Sequence, residues 1–383
     1  MEFRFRSMLN RVVPIILSLI FVSQVLALPR FAVRDNYLCS KCHVNPDGAG
    51  LRNDYGAGYY SKDILPMDFW GDFGSEEFTA RLNEFIRYGA DVRMQYYRYD
   101  SDIETTDAIF PMQADIYFGV NPSEELTLYF ETGLLQTLAS SEIWVQANLL
   151  PMDGYLRVGQ FLPAYGLRLD DHTAFIRGGH VGSMQLPASV TGGFEPHQGL
   201  HWEPEASTIG AEIGLQPGNS ILALSVGKSQ RNPDYSLALN AAHVFYLGQL
   251  NFLAGLSSFH GNYYPGLDPY TYAGVYGGIN WRGLSFLGEF DFTSDYSGDG
   301  VNGYASYAEL NLLILKGVTS IVRFEVYDPD LEHTGRTLQR ITLGGEIFPM
   351  PYVELKPQIR ILTSAADEDF QQTELLIQTH FWF

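Results

Sequence analysis

From about residue 80 to its last residue the chain alternates apolar and polar side chains with a period of two. That is the period of a β-strand, whose successive side chains point to opposite faces. Tyr352, Glu354, Lys356, Gln358 and Arg360 fall on one face, and Val353, Leu355, Ile359 and Ile361 on the other. Asp91, Arg93 and Gln95 alternate with Ala90, Val92 and Met94, and Ser285, Glu289 and Asp291 with Phe286, Phe290 and Phe292. Thr319, Arg323 and Glu325 alternate in the same way with Val318, Val322, Phe324 and Val326. Counted along the chain, the pattern predicts about sixteen strands joined by alternating short and long connections.

The short connections carry turn residues: Asn121-Pro122-Ser123, Pro151 to Gly154, Gln216 to Asn219, Leu247-Gly248-Gln249, Trp281-Arg282-Gly283, Lys316-Gly317 and Pro349-Met350-Pro351. The long ones are polar and acidic: Ser101 to Asp107, Gln230 to Tyr235, Gly261 to Pro269, Asp295 to Asn302, Asp328 to Gly335 and Thr363 to Gln372. Only the connection near Leu138 to Ser141 is short where a long one is expected. Short turns at one end and long loops at the other are the arrangement of outer-membrane barrels, with both chain ends on the periplasmic side when the strand number is even. Two folds share this pattern. In a soluble sandwich the polar set faces water and the apolar set forms the core; in a transmembrane barrel the polar set lines a wet lumen and the apolar set meets lipid. Closure would also remove the unpaired strand edges. The final strand, Leu375, Ile377, Thr379, Phe381 and Phe383, ends on a terminal Phe and resembles the C-terminal strand of bacterial outer-membrane proteins. The expectation is an all-β, transmembrane antiparallel β-barrel, with most Tyr in its interfacial girdles.

The N-terminus reads as an export signal. Arg4, Arg6 and Arg11 precede an apolar run from Val12 to Leu26, with a small residue, Ala27, before the expected cut. A membrane anchor is the alternative, but the run falls short of the roughly 20 residues a spanning helix needs. Loss of residues 1–27 takes away three Arg and one Glu, moving the formal charge from −20 to −22. Such acidity excludes nucleic acid, whose phosphates require clustered Lys and Arg. Heavy Tyr and Phe use, with aromatics at 14%, and a mean hydropathy near zero suit a barrel in which only alternate residues face lipid.

One motif carries specific chemistry. Cys39-Ser40-Lys41-Cys42-His43 has the c-type haem attachment spacing and holds the only two cysteines of the chain. The two thiols add to the two vinyl groups of one haem, and the adjacent His supplies the proximal iron ligand. A disulfide suits an exported chain, yet leaves His43 unexplained and closes too short a loop to gain much. A zinc site would need further ligands nearby. Asn45 to Gly50 reads as an unpatterned turn-rich loop, and Leu51 to Gly56 as the start of a short helix. Between Leu28 and about Gly74 apolar residues are too few for an independent core, so the segment is expected to dock at or inside the periplasmic mouth. For the sixth iron ligand, Met67 lies in the following linker, and His172, His180, His197 and His201 fall in the longest connection, Pro163 to Ala206. His172 is preferred, because Arg168, Asp170 and Asp171 beside it resemble the inward constriction loop of general porins. Asp170, Asp171, Glu195, Glu203 and Glu205 are an acidic set that either attracts a cation such as Fe²⁺ or simply keeps the loop soluble.

In architecture the chain resembles the fused monohaem cytochrome–porins of iron-oxidising bacteria. The matching pieces are a signal peptide at 1–27, a monohaem segment at 28–75 holding Cys39, Cys42 and His43, and a porin-like barrel at 76–383. The resemblance implies one covalent haem c, outer-membrane lipid around the barrel, and electron transfer between an extracellular partner (iron among the candidates) and a periplasmic c-type cytochrome. A solute-conducting porin with a structural or sensory haem plug is the second expectation. It draws on lumen charges of both signs, Arg93, Arg157, Arg323 and Lys356 against Asp91, Glu131, Glu289 and Glu325. A haem enzyme such as a peroxidase ranks last, since no distal acid–base pair is visible by spacing.

Overall fold

The computed structural model describes residues 29–68, 79–101, 105–135, 141–169, 171–179, 199–200, 202, 207–229, 234–262, 268–333 and 335–383. The expected signal peptide at 1–27 lies outside them, as do His180, His197, His201, Asp170, Glu195, Glu203 and Glu205.

Among the described residues sixteen strands form one closed barrel, from Ile86–Ser101 to Gln371–Trp382. Each strand pairs antiparallel with its neighbours in sequence. The ring closes where the first strand meets the last, in register from Asp91↔Trp382 to Ser101↔Gln372. No strand of the ring keeps an unpaired edge. Most expected tight turns are present, but Asn121 to Ser123 end the strand Thr105–Ser123 and the chain turns at Glu124-Glu125, while Pro349 and Met350 end the strand Leu338–Met350 and the turn is Pro351-Tyr352. At Arg282-Gly283 both central residues have positive φ, 49° and 87°, the backbone twist that matches a two-residue hairpin. One expectation needs correction. Ser101 to Asp107 is no long loop: pairing continues to Asp100↔Thr105, because Thr105 and Thr106 extend the second strand.

Burial decides between sandwich and barrel. Glu354, Lys356, Gln358 and Arg360 are buried, while Ile359, on the alternate face, is 51% exposed. Asp91, Arg93 and Gln95 are buried and Val92 and Met94 exposed; Glu289 and Asp291 are buried and Phe286, Phe290 and Phe292 exposed. A soluble sandwich would show the reverse. A continuous outward apolar face is stable only against an apolar solvent, and that is how a transmembrane barrel is built.

Among the described residues, the lumen holds inserted chain as well as wall side chains. Two pieces of chain enter it from opposite ends. From the short-turn end comes the N-terminal segment: a helix at Pro29–Asp35, a tight 3₁₀ turn at Cys39–Lys41 and a π-helix at Tyr55–Ile64. From the long-loop end comes the connection after the strand Gly154–Phe161. Ala32, Val33 and Leu38 of the first share one buried apolar cluster with Leu162, Tyr165, Leu167, Phe175, Ile176 and Trp202 of the second. Tyr97, Tyr117, Tyr129, Tyr155, Tyr272, Tyr307 and Tyr327 are buried there as well, against the girdle expectation. Among these hydroxyls, that of Tyr129 donates to the Glu131 carboxylate and that of Tyr155 to Glu212.

Candidate functional site

Cys39, Cys42 and His43 lie within the barrel. Their loop is closed by a small antiparallel bridge, His43↔Arg52, with Val44 N–H donating to Leu51 O and Asn53 N–H to Cys42 O, both at 2.9 Å. Arg52 therefore belongs to a bridge, and the expected helix begins later, at Tyr55. Between the bridged residues the turn-rich stretch needs left-handed backbone at Gly48, Ala49 and Gly50. At Gly50 a Cβ would also meet the Tyr129 hydroxyl at 2.1 Å, so only glycine lets the loop sit this close to the wall.

The barrel wall anchors that loop through charge. Arg157, fully buried on its strand, donates to Asn45 Oδ1 at 3.1 Å, to Asp47 Oδ2 at 2.6 Å and to Glu212 Oε1 at 2.5 Å. Nearer the chain start Arg30 pairs with Glu346 and Asn251 donates to the Arg34 carbonyl. Past the motif, Trp382 Nε1–H donates to Ser61 Oγ and Tyr352 to the Ala57 carbonyl.

The loop from the other end is held in the same way. Asp171 accepts from Arg323 at 2.6 Å and Arg360 at 3.0 Å. Arg177 pairs with Glu289, Tyr165 donates to Asp291, and the Phe175 amide to Glu325. Burial alone would raise the Asp171 carboxyl, but Arg360 and Arg323 outweigh it and hold it well below the usual carboxylate range. Asp171 is thus a strut between strands. As a cation-attracting loop carboxylate it is corrected, since two guanidinium groups already occupy it.

Between plug and loop lies a cavity of about 160 Å³, roughly ten times the space one water needs. Cys42 and His43 line it from the plug and His172 from the loop, so residues far apart in sequence share one chamber. Phe31, Leu65, Phe348 and Trp382 give it an apolar side, packed in one cluster with Cys42. Its polar side is of mixed charge: Arg30, Arg52, Arg93 and Arg168 stand among the carboxylates Asp91, Asp115, Glu131, Glu142 and Glu354. Cys39 faces a second cavity of about 70 Å³, which Arg168 also borders. Met67 lines neither; its amide donates to the Phe348 carbonyl beside the turn at Gly317.

Both cysteines are unbridged, and burial pushes each thiol up to about 12, so they stay neutral. Burial, with the Arg52 charge adding to it, brings His43 down to about 3 against the opposing pull of the Ala49 and Gly50 backbone. His43 is then a neutral imidazole, the form that binds metal, and its buried Nδ1 has no hydrogen-bond partner. Two unbridged thiols, a neutral imidazole beside them and an apolar wall of Phe31, Leu65, Phe348 and Trp382 are compatible with a covalently held haem c. Of the residues singled out in the sequence, Cys42, His43 and His172 share this cavity; Arg52, Glu354, His380 and Trp382, not singled out there as site residues, line it too, and ring closure brings the last two, on the final strand, beside the plug.

No protein-family model and no curated protein sequence matches the chain. Solved structures do match. The anion-selective porin from Comamonas acidovorans aligns over 78% of this chain and 99% of its own, with a TM-score of 0.55 and 11% identity. The outer membrane channel DcaP of Acinetobacter baumannii covers 78% and 97%, at 0.54 and 11%, and OprB of Pseudomonas putida 85% and 100%, at 0.53 and 10%. At such identities the likeness is one of fold: the chain carries the closed antiparallel barrel of outer-membrane porins.

Proposed function

We propose that this chain is an outer-membrane electron-transfer protein, a c-type cytochrome joined to a porin-like barrel. It passes electrons between an extracellular donor or acceptor, Fe²⁺ among the candidates, and a periplasmic c-type cytochrome. The observation that carries this reading is that Cys42 and His43 open onto a chamber inside the barrel which His172, entering from the other end, also lines. One haem c, when bound, supplies a one-electron iron couple. Cys39 and Cys42 would hold it through their sulfurs, His43 would ligate through its neutral imidazole, and His172 would be the candidate for a further ligand. Arg157 and its partners fix the attachment loop to the wall, and the apolar side of the chamber excludes water from the iron. The lipid-facing band of such barrels is roughly 25 Å tall, so one haem spans it only with partners close to both mouths.

The test is spectroscopic and vectorial. Purified protein should stain for covalent haem on a denaturing gel and give a low-spin reduced spectrum. In proteoliposomes its haem should respond to an external iron complex too large to permeate. Response to small permeant reductants alone would refute the conduit.

A solute-conducting porin with a haem plug is the second reading, favoured by lumen charges of both signs. Against it, Arg157, Arg323, Glu289 and Glu325 are all engaged by plug or loop. Planar-bilayer recordings separate the two: the conduit should be nearly closed, the porin open.

A further inference from the structure

Among the cations of the chamber, Arg52 stands apart. Its Nη1 is buried with no hydrogen-bond partner, and its recorded contact is the face of Trp382, 5.4 Å from the ring centre. The carboxylate with the strongest pull on it is Asp91, but Asp91 already lies 3.2 Å from Arg93 Nε and 2.8 Å from His380 Nε2. A buried guanidinium without an anion is costly, and a planar fork of donors matches a carboxylate. The backbone says where that carboxylate comes from. Residues directly opposite in an antiparallel bridge project their side chains to one side, with Cβ atoms about 5 Å apart. His43 and Arg52 are such a pair, and both line the chamber. A group held at His43 would therefore lie within reach of the Arg52 side chain.

We propose that Arg52 binds a propionate carboxylate of the haem held at Cys39, Cys42 and His43, and that this ion pair sets the iron's potential. The inference rests on the haem reading above. Without the Arg52 charge the propionate is uncompensated and the ferric state gains.

The experiment is a spectroscopic redox titration of the full-length haem protein in detergent, wild type against Arg52→Gln. At the wild-type midpoint the ferrous-to-ferric ratio should fall about tenfold in Arg52→Gln, a lowering of about 59 mV for one electron. A ratio within twofold of wild type, with haem still attached, overturns the role of Arg52 and leaves the haem reading standing. Colourless wild-type protein without a haem stain sinks the reading beneath it instead. If Arg52→Gln does not fold, Arg52→Lys serves: it keeps the charge but loses the fork, so the propionate bending band in resonance Raman should shift, and an unmoved band overturns the proposal. A free carboxylate is the rival occupant. A wild-type midpoint that moves on adding citrate, with no such response in Arg52→Gln, would assign the site to that class and overturn the proposal.

Discussion

Arg157→Gln should release the attachment loop from the barrel wall while leaving the barrel closed. Arg157 is fully buried and stands between two carboxylates, Asp47 of the plug at 2.6 Å and Glu212 of the wall at 2.5 Å, with Asn45 at 3.1 Å. Removing one partner of a buried ion pair costs about 3–5 kcal/mol, because the charge left behind is uncompensated. Glu212 keeps its hydrogen bonds from Tyr155 and Ser225, so the loss falls on Asp47 and its loop. At about 1.4 kcal/mol per decade this is a rise of two to nearly four decades in the open fraction of the loop. Amide exchange of Val44 and Gly48, which donate to Leu51 and Asn45 carbonyls, reads it directly in detergent or nanodiscs. Asp47→Asn alone should cost less, since Arg157 retains Glu212, and the double variant should recover part of the loss. Exchange within threefold of wild type in Arg157→Gln, with strand amides still protected, would refute the assignment of this pair as the anchor.

Three further expectations follow from the same geometry. Ile359→Arg places a charge on the outward face of the barrel and should cost about 2–4 kcal/mol in lipid vesicles near the midplane; a change within about 0.5 kcal/mol, usual for a water-exposed surface, would argue against lipid contact. In the haem-loaded protein His172→Ala should convert the low-spin spectrum to high-spin, whereas Met67→Leu, at a residue that lines neither cavity, should leave it unaltered; the opposite pattern would reverse the assignment of the distal ligand. Asp171 has a folded value held well below that of a free carboxyl, so its contribution is complete above about pH 4 and is lost only as pH falls through the depressed value. Loop protection at Thr173 and Phe175 should thus be constant from pH 8 to about 4 and weaken in stronger acid, while Asp171→Asn should weaken it at every pH.

The alternation of residues such as Glu354 to Ile361 and the turn residues at positions such as Arg282-Gly283 were enough to read strand number, connection order and the two faces. They are local properties, fixed by the two-residue repeat of extended chain and by backbone twist. The attachment motif was legible for a related reason: its chemistry needs five consecutive residues and nothing from elsewhere. What the alternation could not say is which face is inside, since period two is the same in a sandwich and a barrel; the buried carboxylates and exposed phenylalanines answer that only once the ring is closed. Nor could it say that the lumen is filled. The charges expected to line water, Arg157, Arg323, Glu289 and Glu325, each take a hydrogen bond or ion pair from a group more than a hundred residues away. Pairing over such separations leaves no periodicity to find, and the chamber joining His43, Arg52 and His172 exists only because plug and loop enter one barrel from opposite ends.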